Sequence, residues 1–259
     1  MNYKVVILDI DGTIVPHGKT ISPATKDAIQ RLKDRNLEVV IATGRAPYFS
    51  TSIIEDTGVN SMIFFNGSYV FHEGKEIFQN AIDKNILKKV QLLSGDFQHP
   101  LTFLSSSCFK ATDLSHPFVV EAYSRDPWKP ELASPRFWMD QDIYQLFLHC
   151  NLEEEIHYKA KIPELDFRRW SSGARTCDVN LTNSNKAVGI TKLLEKLGIA
   201  PDEAVAFGDG LNDIEMLSLV GMGVAMGASS DELKQAANMV TLSAEEDGVA
   251  YGLEKLGLI

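Results

Sequence analysis

Asp9 and Asp11 stand two residues apart in Asp9-Ile10-Asp11-Gly12-Thr13, directly after the apolar run 5–8. On a strand that spacing turns both carboxylates to one side, and in a turn both can approach one centre. A second acidic pair, Asp209 and Asp213, lies far along the chain in Gly208-Asp209-Gly210-Leu211-Asn212-Asp213. Carboxylates gathered from distant segments repel one another unless a cation lies among them, and hard oxygen ligands with few protein contacts favour Mg²⁺. An EF-hand loop is the other reading of Asp-x-Asp. It fails because Ile14 and Thr20 occupy the positions that need Gly and Glu.

Thr43-Gly44-Arg45 and Asn66-Gly67 add hydroxyl, amide and guanidinium groups. Taken singly, Asp-Gly, Thr-Gly and Asn-Gly are ordinary turn sequences. Lys186 follows Asn183-Ser184-Asn185 at the start of a helical pattern. A cation in the first turn opposes the helix dipole and so has no capping purpose. It reads as a charge for an anionic group.

The elements that must position these residues alternate in type. Runs 5–8, 38–42 and 61–65 are short, apolar and β-branched, and predict buried strands. Ser22-Pro23 opens a helix extending to about residue 36, and a second is expected from Pro47 to Thr57, stopped by Gly58. The last third repeats the alternation. Helices are expected at 185–197, 214–219, 231–237 and 246–256, with strands at 204–207, 222–225 and 239–241. Strand–helix–strand units with short connections imply a parallel sheet, so the fold class is α/β, a Rossmann-like doubly wound core. In such a sheet ligands bind at the carboxyl ends of the strands, where the motifs at Asp9, Thr43, Asn66 and Asp209 fall.

Residues 69–71 and 76–78 flank a hairpin turn. Beyond it the pattern changes to an α+β insertion of about a hundred residues, long enough to be a domain. The expected division is a core of 1–81 and 184–259 with an inserted domain of 82–183. Within the insertion, a helix is marked by Ile86, Leu87, Val90 and Leu93, and an irregular stretch rich in Pro and aromatics follows residue 104. Phe118, Tyr123, Trp128, Phe137 and Trp138 read as core residues, and Arg175 and Asp178 as candidate substrate contacts near the return to the core.

With 259 residues, 44% hydrophobic and 23% charged, the chain is globular rather than disordered. A net charge of −10 argues against a sequence-independent grip on nucleic acid and against an anionic membrane surface. Cys108, Cys150 and Cys177 are scattered, with no CxxC pair, which excludes a zinc ribbon or disulfide framework and suits a reducing, cytoplasmic compartment. No run approaches the length of a membrane span.

The four ordered motifs, Asp9 to Thr13, Thr43-Gly44-Arg45, Lys186 and Gly208 to Asp213, resemble those of the haloacid dehalogenase-like phosphatases. The insertion between the second motif and the lysine resembles the type IIB cap of the Cof-type subfamily. The resemblance implies a Mg²⁺-dependent phosphatase acting on small phosphomonoesters through an aspartyl-phosphate. Asp9 is then the nucleophile and Asp11 the general acid and base. Mg²⁺ is held by Asp9, Asp11 (through its backbone carbonyl), Asp209 and Asp213. Ile10, Thr43, Gly44, Lys186 and Asn212 hold the phosphoryl group, and Arg45 reaches the substrate. It implies a cap that closes over this edge, a small phosphorylated metabolite as partner, and a monomer or weak homo-oligomer. A phosphomutase with a similar core, or a non-catalytic phosphate sensor, is the alternative.

Overall fold

The computed structural model describes residues 3–124, 128–171 and 173–259. In chain order the strands are β1 (Val5–Leu8), β2 (Glu38–Ala42), β3 (Ser61–Phe64), β4 (Tyr69–His72) and β5 (Lys75–Gln79). Then come β6 (Leu101–Leu104), β7 (Phe109–Ala111), β8 (Glu131–Leu132), β9 (Gln145–His149), β10 (Leu165–Arg169) and β11 (Thr176–Leu181). The chain closes with β12 (Ala204–Gly208), β13 (Met222–Ala225) and β14 (Met239–Val240). Two compact units result. One comprises the chain through Arg45 with Phe49–Gln79 and Asn185–Ile259, the other Ala46–Tyr48 with Asn80–Ser184.

Among the described residues the first unit forms one sheet in the order β14-β13-β12-β1-β2-β3-β4-β5. Its strands are parallel from β14 to β3, and β4 and β5 return antiparallel as the hairpin that the sequence marks. All four residues of β1 are fully buried, because helices cover both faces of a parallel sheet. The helix Lys186–Leu197 packs Ile190, Leu193 and Leu194 against Val5, Ile7, Ala204 and Ala206. The helix Pro23–Asp34, capped by the Ser22 hydroxyl, packs against Gly248–Lys255. Because β1 lies between β12 and β2, Leu8, Phe207 and Ile41 end side by side, and the loops beyond them share one edge.

The second unit is a sheet in the order β10-β11-β9-β6-β7-β8. One face buries Phe103, Leu146, Leu148 and Val179 with Leu87, Val90 and Tyr158. From the other, His149 reaches the hydroxyls of Thr102 and Thr176 at 2.9 and 3.0 Å. Burial holds this imidazole neutral by lowering its pKa to about 3, with the charge of His116 adding to the effect.

Several expectations need correction. The continuous helix from Pro47 is a 3₁₀ turn, Pro47–Phe49, and a separate helix, Thr51–Thr57, because Ser50 (φ −113°, ψ 2°) breaks the register. The stretch after residue 104 is not wholly irregular. Ser105 accepts from Ser107 N–H and Cys108 N–H, and this turn returns the chain as β7. Short helices lie at Pro117–Ala122 and Phe137–Asp140, while residues 125–127 lie outside the described residues. Tyr123, Phe137 and Trp138 are buried, but Phe118 is half-buried and Trp128 is 45% exposed. The three cysteines are free, and Cys108 is only half-buried. Among the described residues no helix is long and apolar enough to cross a membrane.

Candidate active site

Asp9 is the first residue past β1, fixed by its N–H donating to Phe207 C=O at 3.0 Å. Its carboxylate lies at the common strand edge, and the residue is 5% exposed. Lys186 arrives from the first turn of its helix, which is capped by the Asn185 side chain. Its ammonium is wholly buried and donates to Asp9 Oδ1 at 2.5 Å and to Asp213 Oδ1 at 2.6 Å. The second oxygen of Asp213 accepts from the N–H groups of Asp209 and Gly210, both at 3.0 Å, and so shapes the loop after β12. Asp209 accepts from the Thr13 hydroxyl at 3.4 Å. Gly12 has a φ of +79°, and a Cβ there would fall 2.0 Å from Asp209 Oδ2, so only glycine lets the first and last motifs close on one another.

Asp9, Asp209 and Asp213 present oxygens within 4.8 Å of one another. Burial pushes the Asp9 carboxyl well above its usual range; Lys186 opposes the shift, and Asp213 and Asp209 add to it. Asp209 is pushed up to about 6, first by burial and then by the charge of Asp213. Burial acts to lower the pKa of Lys186, but the two carboxylates outweigh it and hold the ammonium charged. Three carboxylates against one ammonium leave the cluster short of positive charge. Hard oxygen donors with that deficit fit a divalent cation such as Mg²⁺.

Asp11 points elsewhere. Arg45 donates from Nε to its Oδ2 at 2.9 Å and from Nη2 to its Oδ1 at 2.5 Å, while Nη1 donates to Phe49 C=O at 3.2 Å. The Asp11 side chain therefore stands outside the carboxylate cluster. Thr43 is buried; its hydroxyl oxygen accepts the Arg45 N–H at 3.1 Å, leaving its O–H free to donate. Asn212 donates from Nδ2 to Asn66 Oδ1 at 2.9 Å. The sequence brings Asn66 to the site's edge but assigns it no role there. The signal for it was its place at the end of a third strand on the same edge.

Arg175 and Asp178 belong to the second unit. Arg175 stacks 4.8 Å from the Phe118 ring and pairs with Glu121 at 3.3 Å. Asp178 accepts from the Trp170 indole at 2.6 Å, and burial raises its carboxyl to about 6. Each is engaged within its own unit.

The profile of the haloacid dehalogenase-like hydrolases matches residues 6–253. The chain belongs to that family. YkrA of Bacillus subtilis (strain 168) is 37% identical over 259 residues, covering all of both chains. The 5-amino-6-(5-phospho-D-ribitylamino)uracil phosphatase YitU of the same strain is 30% identical over 263 residues, covering 97% of this chain and 96% of its own. The solved structure of a subclass IIB sugar phosphatase of the superfamily superposes with a TM-score of 0.84 at 27% identity, covering 99% of this chain and all of that one. The enzyme is accordingly a phosphatase of the haloacid dehalogenase-like family, of the Cof type.

Proposed function

We propose that the enzyme hydrolyses small phosphomonoesters, sugar phosphates or related polyhydroxy metabolites, with Asp9 as nucleophile and Mg²⁺ as cofactor. The observation that carries this reading is the single buried ammonium of Lys186 shared by Asp9 and Asp213 beside Asp209. It supports reading Asp9 as a carboxylate nucleophile, Lys186 as a cation for phosphoryl oxygens and the three carboxylates as a metal-binding group. The substrates that the names of YitU and the sugar phosphatase state are esters of this class.

In the first step a carboxylate oxygen of Asp9 attacks phosphorus. The Asp9–phosphorus bond forms, the bond to the ester oxygen breaks, and Asp11 gives that oxygen its proton. In the second step water attacks the aspartyl-phosphate, Asp11 takes the water's proton, and phosphate leaves with Asp9 regenerated. Arg45 steers Asp11 through one hydrogen bond to each of its oxygens, and each oxygen keeps a second lone pair. Thr43, Lys186 and Asn212 with the backbone N–H groups of Ile10 and Gly44 hold the phosphoryl oxygens. Asp9, Asp209, Asp213 and the Asp11 carbonyl would hold Mg²⁺, which when bound would offset the repulsion between Asp9 and the ester. Residues 82–183 carry substrate choice, with Arg175 and Asp178 among the contacts. The enzyme works in the cytoplasm, a reading supported by its scattered free thiols, and as a monomer or weak homo-oligomer.

The test is phosphate release from a panel of sugar phosphates and other monoesters, with Mg²⁺ and after chelation. Release that needs Mg²⁺ and favours polyhydroxy esters is expected. Full activity in chelator, or no release from any ester, would refute the reading.

A further inference from the structure

The turn after β3 is built from three successive residues with positive φ: Phe65 at 50°, Asn66 at 51° and Gly67 at 97°. A bulky aromatic there is a steric outlier, and such outliers persist only where the surroundings over-determine them. The surroundings are three of the four motifs. Phe65 N–H donates to Arg45 C=O at 3.1 Å, and Asn66 N–H donates to Thr43 C=O at 3.0 Å. A Cβ on Gly67 would lie 1.9 Å from the carbonyl oxygen of Asn185, the cap of the helix that carries Lys186. The Asn66 side chain reaches the remaining one, accepting from Asn212 Nδ2 at 2.9 Å.

We infer that Asn66 is a positioning residue that acts through Asn212. The inference rests on the proposed place of Asn212 in the phosphoryl cradle. A free carboxamide can turn over and present oxygen or nitrogen with similar ease. Committing one Nδ2 hydrogen to Asn66 fixes which end of Asn212 faces which way, and leaves the second hydrogen to donate to a phosphoryl oxygen. The position makes two demands. The backbone needs a residue that tolerates the left-handed region, and the side chain must accept a hydrogen bond without adding charge beside an anionic ester. Glycine meets only the first, and aspartate fails the last; asparagine meets both.

Steady-state kinetics on an aryl phosphate with Mg²⁺ tests this in a double-mutant cycle of Asn66→Gly and Asn212→Ala. Asn66→Gly keeps the backbone conformation, so its melting curve should track the parent's. Its kcat/KM should fall on the order of tenfold, whereas the same change made on Asn212→Ala should cost less than about twofold. Equal losses in both backgrounds, or no loss in the parent, would overturn the inference while leaving the phosphatase reading intact. A parent that releases no phosphate from any ester would sink the reading itself, and the inference with it. A second measurement needs no Asn66 variant. With the Asn212 side-chain amide identified by its loss in Asn212→Ala, nuclear magnetic resonance should find one of its two protons slowed in exchange with solvent. Two protons exchanging at the free rate would also overturn the inference.

Discussion

Arg45 holds Asp11 through two parallel hydrogen bonds, at 2.9 and 2.5 Å, and is itself tied to the Phe49 carbonyl. A forked grip of this kind fixes the plane of a carboxylate as well as its position. In the proposed mechanism Asp11 serves first as acid and then as base. Asp11→Asn should therefore lower kcat by about 10²–10⁴-fold. Arg45→Gln should lower it in the same direction by less, because Asp11 survives but is no longer steered. Both losses should be smaller for an aryl phosphate, whose leaving group needs little protonation, than for an alkyl phosphate. Turnover rates on the two esters check this. Equal losses on both would remove the leaving-group role from Asp11 and the steering role from Arg45.

Lys186 shares one wholly buried ammonium between two carboxylates. Removing one partner of a buried ionic group leaves the others uncompensated, which typically costs about 3–5 kcal/mol. Lys186→Met should lower the stability of the metal-free protein by that order and abolish turnover. Added Mg²⁺ should restore part of the stability, since Asp9, Asp209 and Asp213 remain to bind it. Urea melts with and without Mg²⁺ give the comparison. A variant as stable as the parent in chelator would mean that the ammonium is not what balances the cluster.

His149 gives the second unit a predictable response to acid. Its imidazole has a pKa lowered to about 3 in the folded protein and about 6.5 when unfolded. Above the higher value both states are neutral. Below it the unfolded state takes up a proton that the folded state refuses, so stability falls as pH falls, by about 1.4 kcal/mol per unit until the folded group titrates. His149→Gln removes that dependence. Between about pH 7 and about pH 5 the parent should lose roughly 2 kcal/mol more than the variant. Thermal or urea melts at the two pH values measure it, and parallel losses would contradict the assignment.

The strand ends were legible in the sequence because apolar, β-branched runs stop abruptly at Asp9, Thr43 and Asp209, and a parallel sheet brings such ends to one edge. Lys186 was legible because its sign is wrong for the first turn of a helix. Contacts between residues distant in the chain were not legible. Asp11 and Arg45 stand 34 positions apart, and nothing in the sequence between them indicates that they pair. Asn66-Gly67 reads as a turn, and only the structure shows Asn66 meeting Asn212. In the second unit the periodicity of the helix Leu152–Lys161 misleads. It buries Glu155, which pairs with Arg169 at 2.8 Å, and leaves Leu152 and Ile156 more than half exposed. A helix whose buried charge is neutralised by a partner from another strand defeats any rule that sorts residues by hydrophobicity.

In the proposed mechanism Asp9 becomes phosphorylated in turnover. This is tested most directly by acid quench of the enzyme during reaction with an ester carrying radioactive phosphate, then peptide mapping. Label is expected on the peptide bearing Asp9, released by hydroxylamine as an acyl phosphate should be. The label should be absent from Asp9→Asn and greater in Asp11→Asn when an aryl ester is used, because the loss of the base slows hydrolysis more than phosphorylation. Turnover with no label on that peptide, or an Asp9→Asn enzyme that releases phosphate at the parent rate, would contradict it.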